Sequence, residues 1–177
     1  MHLYRLSVLL TAAFLLSGAL SPVPTQAQDA PFITIWNTEN EGFSDDDQIS
    51  IPGEGTDYTV EWEEVGNNSN SGSETVASGD TTLTFPNPGT YRVEFSGGFT
   101  RIHFGSGGDP NKIELITQWG DIEWSTMEEA FEEASNLDLS TSDTPDLSGV
   151  ESMDFMFREA GSLDASEGNV GDWDVSN

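Results

Sequence analysis

Carboxylates are the most abundant side chains in this sequence that could do chemistry. The 177 residues include 32 Asp and Glu against five Lys and Arg, no Cys, and two His, of which only His103 lies beyond the N-terminal segment. The lack of Cys excludes a disulfide framework, a thiol nucleophile and Cys-ligated zinc or iron–sulfur sites. Any catalysis would therefore depend on paired acids of the kind that glycosidases use.

The glutamates beside a tryptophan, Glu61, Glu63 and Glu64 around Trp62, are the candidates for such a pair. A glycosidase needs two carboxylates about 5–10 Å apart, one of them in a pocket that raises its pKa. Side chains alternate between the two faces of a strand, so the pattern predicts that Trp62 is in the core and the glutamates face solvent. His103 lies between two apolar residues, which is typical of a surface or rim position. No G-x-S-x-G motif is present. We therefore predict no catalytic residues.

Calcium is the metal that this composition favours, because hard cations prefer oxygen ligands. Asp45, Asp46 and Asp47 lie in a loop between two expected strands and form the candidate site. The cluster matches neither an EF-hand loop nor the nonapeptide calcium repeat. Ordinary solvated acids are therefore the alternative explanation, and no other cofactor is expected.

The acidic excess bears on the choice of partner. A formal net charge of -27 would repel a phosphate backbone, so we expect no nucleic-acid partner. The excess is spread evenly, with 16 acids and 3 bases in residues 28–119 and 16 acids and 1 base from residue 120 onward. A binding patch would be local. A uniform excess with a single Lys indicates adaptation to a salty medium, where screening removes the self-repulsion of the chain.

The first 27 residues have the pattern of a cleaved signal peptide. Arg5 precedes an uncharged apolar run of about 15 residues, which is followed by two prolines and a small-residue site ending at Ala27. A transmembrane span needs about 20 apolar residues, and no later stretch is that long. The sequence predicts a secreted or cell-surface protein that begins near Gln28 and has no transmembrane segment in the mature chain.

Residues 28–115 are predicted to form a small antiparallel β-sandwich. Short alternating runs, separated by Gly, Asn, Asp, Ser and Pro clusters, lie at 31–38, 48–53, 58–65, 81–86, 90–97, 99–105 and 112–119. The run 66–73, GNNSNSGS, is predicted to be a polar loop. The segment 86–93, PNPGTYRV, resembles the PGTYxV stretch of PKD-like and other immunoglobulin-like surface modules. This resemblance implies a spacer or adhesive unit.

After Trp119 two segments repeat with a constant offset. They are 124–139, WSTMEEAFEEASNLDL, and 150–165, VESMDFMFREAGSLDA. The offset pairs Met127 with Met153, Phe131 with Phe157, Ala134 with Ala160 and Leu137 with Leu163. Apolar residues at intervals of three or four predict a short helix in each unit, after a short strand near Ile122 and near Leu147. The expected fold is mainly β with short helices, and the constant period is typical of a solenoid.

Residues 147–157, LSGVESMDFMF, and 171–177, GDWDVSN, resemble the W-D-V-S-N-V-T-x-M-x-x-M-F repeat of BspA-type leucine-rich-repeat surface proteins. The resemblance implies that residues 116–177 are the first units of a leucine-rich-repeat array behind the sandwich. It implies an exported protein that binds or adheres through the repeat face, and it transfers no catalytic residues. A third unit begins near Trp173 without a polar cap, so we expect this sequence to be a fragment.

The candidate binding face combines Trp124 and Trp173 as aromatic anchors with Asp172 and Asp174 as a charged rim. Its expected partner is an extracellular protein or glycan. The alternative function is an extracellular carbohydrate-binding or carbohydrate-processing protein, in which exposed Trp residues serve as sugar platforms. A structural spacer without a ligand is a third interpretation.

We predict that salt stabilises the folded chain. Raising NaCl from dilute to molar concentration should raise the midpoint of thermal unfolding, because screening weakens the repulsion among the acids. Thermal scans followed by circular dichroism over this range measure the effect. A midpoint that does not respond to NaCl would contradict the prediction.

Overall fold

The computed structural model describes residues 30–164 and 166–176. The predicted signal peptide, residues 1–27, lies outside the described residues. In the described part the chain is mainly β and has no α-helix, only three short 3₁₀ helices at Phe104–Ser106, Pro110–Lys112 and Val170–Asp172. None of the helices in these residues has the length and apolar character needed to cross a bilayer.

The strands form two sheets in a β-sandwich-like arrangement. They are β1 (Phe32–Asn37), β2 (Gln48–Ile51), β3 (Gly53–Glu64), β4 (Asn67–Ser78), β5 (Thr81–Thr84), β6 (Thr90–Ile102), β7 (Ile113–Gln118) and β8 (Asp138–Leu139). The larger sheet has the order β4-β3-β6-β1-β7-β8, and the smaller sheet pairs β2 with β5. All neighbouring strands are antiparallel except β7 and β8, which are parallel.

Alternation of apolar and polar residues places one face of the larger sheet in the core. In β6, Tyr91, Val93 and Phe95 are fully buried, while the residues between them are only half-buried. Ile49 of β2 and Leu83 of β5 belong to the same buried cluster and come from the smaller sheet. The prediction of a sheet with one buried face is confirmed.

Two strands differ from the prediction. The segment 66–73, expected as a loop, belongs mostly to β4, which pairs along β3 in a long hairpin. Its polar residues suit an edge strand that faces solvent. Gly72 in β4 leaves room for the Trp62 ring, because a Cβ there would come within 2.5 Å of it. The runs 90–97 and 99–105, expected as two strands, lie largely in the single strand β6. Gly97 within β6 has a φ of 73° and accommodates an irregularity in the pairing with β3.

The repeat is present in the backbone, but as turns instead of helices. Glu129 and Glu133 in the first unit, and Phe155 and Glu159 in the second, have φ values of 53°, 60°, 57° and 61°. Glu129 and Phe155 are equivalent positions of the repeat, as are Glu133 and Glu159. All four are the third residue of a turn that is closed by a hydrogen bond from the next N–H to the carbonyl three residues before it. For Glu129, Ala130 N donates to Met127 O over 3.2 Å. The left-handed conformation interrupts an α-helix, so the predicted helices are wrong.

The backbone donors of the first unit bond to the second unit. The N–H groups of Met127, Glu129, Phe131 and Glu133 donate to the carbonyls of Ser152, Asp154, Met156 and Arg158 over 2.8–3.0 Å. An α-helix would need these N–H groups for bonds to carbonyls four residues earlier, so the ladder and the helix exclude each other. The strands expected near Ile122 and Leu147 do not form either. The strand of the first unit is instead β8, which pairs with β7.

The sandwich and the first unit share one core. The ring of Phe32 in β1 lies 5.7 Å from that of Trp119, 5.1 Å from Trp124 and 6.5 Å from Phe131, measured between centroids. Phe104, just after β6, donates its N–H to the carbonyl of Ala130. The boundary predicted between residues 115 and 116 falls within β7. The first unit is thus enclosed between the sandwich and the second unit.

Replacing Glu133 with Gly tests the turn geometry. In a helix the substitution would cost about 1 kcal/mol. At the observed φ of 60°, Gly carries no steric penalty, so we expect the free energy of unfolding to stay unchanged or rise by about 1 kcal/mol. Urea unfolding followed by Trp fluorescence measures the change. Glu128→Gly, at an exposed position without positive φ, is the matched control and should destabilise. Equal losses at both positions would contradict the turn.

Candidate functional site

The structure does not gather the predicted calcium ligands into a metal centre. Asp45 and Asp46 are exposed and Asp47 is half-buried in the loop before β2. Across residues 30–164 and 166–176, no group of three or more His, Cys, Asp or Glu could hold a metal ion. The calcium site expected at these three residues therefore has no support in the described part of the chain.

A lysine ammonium group holds the loop that carries these aspartates. Lys112 is fully buried. Its Nζ donates to the carbonyls of Ser44, Asp45 and Gln48 over 3.1, 2.9 and 3.0 Å, and to the Ser44 hydroxyl over 3.1 Å. Four oxygen atoms around one positive charge resemble the ligand set of a cation. The ammonium group thus fills the centre of the loop with the chain's own charge.

The carboxylate of Asp109 binds backbone N–H groups of the same loop and of the start of β2. The fully buried carboxylate accepts the N–H groups of Phe43, Ser44 and Ser50 over 2.5, 3.1 and 2.6 Å, and the Ser44 hydroxyl over 2.5 Å. Gly42 packs against both charged side chains, because a Cβ there would lie 2.5 Å from Asp109 Oδ1 and 2.6 Å from Lys112 Cε. The sequence analysis missed this cluster. Its only signal is that Lys112 is the single lysine of the chain.

Trp124 lies in the core, so it cannot serve as a surface anchor. Its side chain is 2% exposed and contacts the rings of Phe32, Phe99 and Trp119 at centroid distances of 5.1, 6.0 and 6.1 Å. Through these contacts Trp124 joins the first unit to the sandwich core. The prediction that places it on the binding face is wrong.

Trp173 and its flanking acids face different grooves. Trp173 is half-buried, with its ring 5.2 Å from that of Trp119, and it lines an apolar groove. Asp172 and Asp174 are exposed and line a separate groove of about 300 Å³ together with Asp146. The predicted combination of an aromatic anchor with a charged rim is therefore not formed.

The acids of the second groove have local structural roles. Asp174 accepts the N–H and the hydroxyl of Ser176 over 3.1 and 2.6 Å, and these bonds, the one to the hydroxyl first, lower the pKa of its carboxyl. Asp146 accepts the N–H of Ser148 in the same way, and its pKa is lowered for the same reason. Each carboxylate thus closes a turn with the serine two residues later.

The apolar groove is the candidate functional site. It has a volume of about 650 Å³ and is lined by residues of the second unit between Met153 and Arg158 and by residues between Val170 and Val175. Phe155, Met153 and Val175 in its lining are 56%, 37% and 60% exposed, whereas Met127, the first-unit equivalent of Met153, is fully buried. An exposed apolar surface of this kind is a candidate site for a partner.

Arg158 supplies the positive charge in the groove. Its guanidinium lies over the Phe155 ring, 4.9 Å from the centroid, and also forms an ion pair with Glu132. A cation over an aromatic face at this distance is attracted to the ring. The groove therefore combines a broad apolar floor with one cationic edge.

The residues weighed for catalysis lie elsewhere. His103 Nε2 is 2.9 Å from Glu129 Oε2, so this histidine connects the end of β6 to the first unit. Glu64 accepts the side-chain amides of Asn67 and Asn70 at the β3–β4 turn. Trp62 is half-buried against the core, and Glu61 beside it is exposed, as the strand alternation predicts. Glu63 and Glu64 are half-buried, so the prediction that all three glutamates face solvent holds for Glu61 alone.

The sequence predicts some of the groove residues but not the groove. Met153 and Phe157 are predicted as repeat positions on one face of a short helix. Phe155 occupies the repeat position that Glu129 has in the first unit, and this exchange of an acid for an aromatic residue is the signal that could have indicated an unusual surface.

Comparisons with protein-family models, with curated protein sequences and with solved structures find no match to this chain.

Replacing Lys112 with Met tests the buried cluster. Met keeps an apolar side chain of similar length but removes the Nζ donor from four oxygens. The carbonyls of Asp45 and Gln48 keep one other donor each. We expect the free energy of unfolding to fall by about 2–4 kcal/mol. Urea unfolding measures the loss. Arg92→Met removes a half-exposed ion pair with Glu94 and should cost less than about 1 kcal/mol. Similar losses in the two variants would contradict the role given to Lys112.

Proposed function

We propose that this chain is part of an exported, non-catalytic surface protein that binds a partner through the apolar groove of the second unit. The observation that carries the proposal is the exposure of Met153, Phe155 and Val175 around one groove. Leaving these side chains in water costs free energy that a partner would recover by covering them. Export rests on the signal-peptide pattern of residues 1–27.

We also propose that residues 116–177 begin a solenoid of the leucine-rich-repeat type. Three observations support this assignment: the constant offset between the units, the repeated positive φ values, and the one-to-one hydrogen bonds from unit to unit. Solenoids are built from units that contact only their neighbours in this way. The motif shared with BspA-type proteins in residues 147–157 and 171–177 agrees with it.

The sandwich in front is proposed to be an immunoglobulin-like or PKD-like module. The hydroxyl of Tyr91, near the start of β6, donates to the carbonyl of Asn87 over 2.7 Å. This bond resembles the tyrosine corner of immunoglobulin-like sandwiches, in which a tyrosine bonds back to the backbone a few residues upstream. It lies within the PGTYRV segment that suggested the resemblance.

The second candidate function is carbohydrate binding, because Trp173 lines the groove. A sugar needs hydrogen-bonding side chains beside an aromatic platform, since its hydroxyls lose water on binding. Among the residues that line the groove, Arg158 has the one charged side chain, and the half-buried Trp173 has an indole N–H. The other lining residues are apolar or Gly. This composition favours an apolar polypeptide over a glycan.

Replacing Phe155 with Asp tests the groove as a binding site. A peptide library displayed on phage, selected against the whole protein, should yield apolar peptides. We expect the substitution to weaken their binding at least about tenfold, or ~1.4 kcal/mol. Titration of purified peptides followed by fluorescence anisotropy measures the change.

Phe43→Asp is the matched control, because Phe43 is 86% exposed on the sandwich, away from the groove. It should leave peptide binding unchanged. The proposal would be wrong if the selected peptides bound the Phe155 variant as tightly as the unchanged protein. Quenching of Trp fluorescence by soluble glycans, lost in the Phe155 variant, would favour the carbohydrate-binding alternative.

A further inference from the structure

Strand β4 forms one edge of the larger sheet, and no described residue pairs with its outer side. The strand is 12 residues long and contains no Lys or Pro and a single acid, Glu74. Sheets usually protect their edges with charged residues, with prolines or by keeping the edge strand short. The opposite edge, β8, has only two residues. β4 is therefore a long edge strand that is open to pairing with another chain.

The hydrogen bonds between β3 and β6 show which residues of β3 bond to β4. Val65, just after β3, donates its N–H to the carbonyl of Thr90 at the start of β6. The register of the two strands is continuous over residues 58–64. Because successive residues of a strand direct their backbone groups to opposite sides, the odd-numbered residues of this stretch bond to β6. The even-numbered residues therefore bond to β4.

The register of β3 with β4 then identifies the free backbone groups of the edge. Trp62, an even-numbered residue, pairs with Gly72, so Gly72 directs its N–H and carbonyl toward β3. Its neighbours Ser71 and Ser73, and Thr75 two residues later, direct theirs away from the sheet. These three residues have exposed, uncharged side chains. Each one offers a donor and an acceptor to a further strand.

On the core face of β4, the indole of Trp62 reaches across to the edge. A Cβ on Gly72 would lie 2.5 Å from this ring, so the ring covers the glycine. The inner side of the ring packs against Phe85 and Tyr91 at centroid distances of 5.1 and 5.7 Å. Trp62 is nevertheless only half-buried. An added strand would therefore lie beside a partly exposed aromatic ring.

A second copy of β4, running antiparallel, complements this edge. Each outward residue has both a donor and an acceptor, so two identical antiparallel strands satisfy each other. With Gly72 opposite Gly72 of the second copy, Ser71 lies opposite Ser73, and Glu74 lies opposite Asn70. A register centred on Glu74 would instead place two carboxylates opposite each other, which is destabilising. The charge pattern therefore fits self-pairing centred on Gly72.

The same register brings the two Trp62 rings together. Opposite residues of a pair that is not hydrogen-bonded have Cα atoms about 4.5 Å apart. Because each indole lies over its own Gly72, the two indoles meet above the pair of glycines and cover apolar surface that water otherwise reaches. An unrelated extended peptide would satisfy the same backbone groups but would not supply the second indole. This contact favours a second copy as the occupant.

We propose that β4 is a self-association surface, through which two copies of this chain join their larger sheets into one continuous sheet. The inference is independent of the groove in the second unit. Two chains that each have a formal net charge of -27 repel one another, but the edge itself has one acid in 12 residues. Association is therefore strongest at high salt, where the long-range repulsion is screened.

Sedimentation velocity of the whole protein over a concentration series measures this association. In molar NaCl we expect a monomer–dimer equilibrium, and lowering NaCl to about 0.1 M should raise the dissociation constant at least about tenfold. A protein that stays monomeric in molar NaCl up to a concentration of about 1 mM would overturn the proposal.

Two substitutions at one position test the role of the β4 backbone. Ser73→Pro removes an outward N–H and none of the hydrogen bonds to β3, a position where edge strands accept proline. It should weaken the dimer at least about tenfold, or ~1.4 kcal/mol. Ser73→Ala keeps the N–H, is the matched control and should dimerise like the unchanged protein. Circular dichroism checks that both variants fold. Equal dimerisation of the two variants would overturn the proposal.

A variant of the groove separates this dimer from association through the second unit. Phe155→Asp should leave the dissociation constant of the dimer unchanged, because Phe155 lines the groove and does not belong to β4. If Phe155→Asp abolished the dimer while Ser73→Pro left it intact, the copies would associate through the groove and the proposal for β4 would be wrong.

Cysteine cross-linking tests the register without a proline substitution. The chain contains no Cys, so an introduced Cys reports on its own position alone. An equal mixture of Ser71→Cys and Ser73→Cys proteins should form disulfide-linked dimers at least about fivefold faster than either protein alone, because opposite Cβ atoms lie closer than diagonal ones. Non-reducing gel electrophoresis over time measures the rates. Equal rates in the three samples would overturn pairing centred on Gly72.

Discussion

The backbone N–H groups of the segment 127–133 can bond to carbonyls of their own unit or to carbonyls of the second unit. The choice between these two sets of acceptors determines how the C-terminal part of this structure is built. Each group can either close a helix within its unit or reach the next unit, and the positive φ values at Glu129 and Glu133 commit the chain to the second choice. Once that choice is made, the apolar residues become a layer between stacked units. The apolar side chains of the second unit line the groove.

The sandwich supplies the fixed end of this stack. Phe32, Trp119 and Trp124 form a continuous aromatic contact between the sheet and the first unit, so the unit does not have to form a core alone. Lys112 and Asp109, just before β7, tie the loop of residues 42–50 to the same region through buried charges. In a chain with this acidic excess, the single lysine is buried, and its ammonium group donates to three backbone carbonyls.

Sequence patterns predict the parts of the fold that depend on side-chain alternation. The buried faces of β3 and β6 follow from aromatic and aliphatic residues at every second position, and the offset that pairs Met127 with Met153 correctly relates the two units. The helices were wrong because a spacing of three or four is shared by helices and by consecutive tight turns. Only the φ values of Glu129 and Glu133 decide between them. The prediction of a loop at 66–73 was wrong because this polar segment becomes a strand through its hydrogen bonds with β3, which its own residue types do not indicate.

The candidate site was predicted only in part, for a reason that also bears on how it works. Trp124 and Trp173 each follow an acidic residue in the sequence, yet Trp124 lies in the shared core and Trp173 is half-buried and lines the groove. The acids near Trp173 are engaged with serines two residues on and lie outside the groove. The binding proposed there would depend mainly on apolar contact, which salt does not screen. A chain adapted to a salty medium, as the even spread of its acids predicts, could therefore keep such a site without relying on charge.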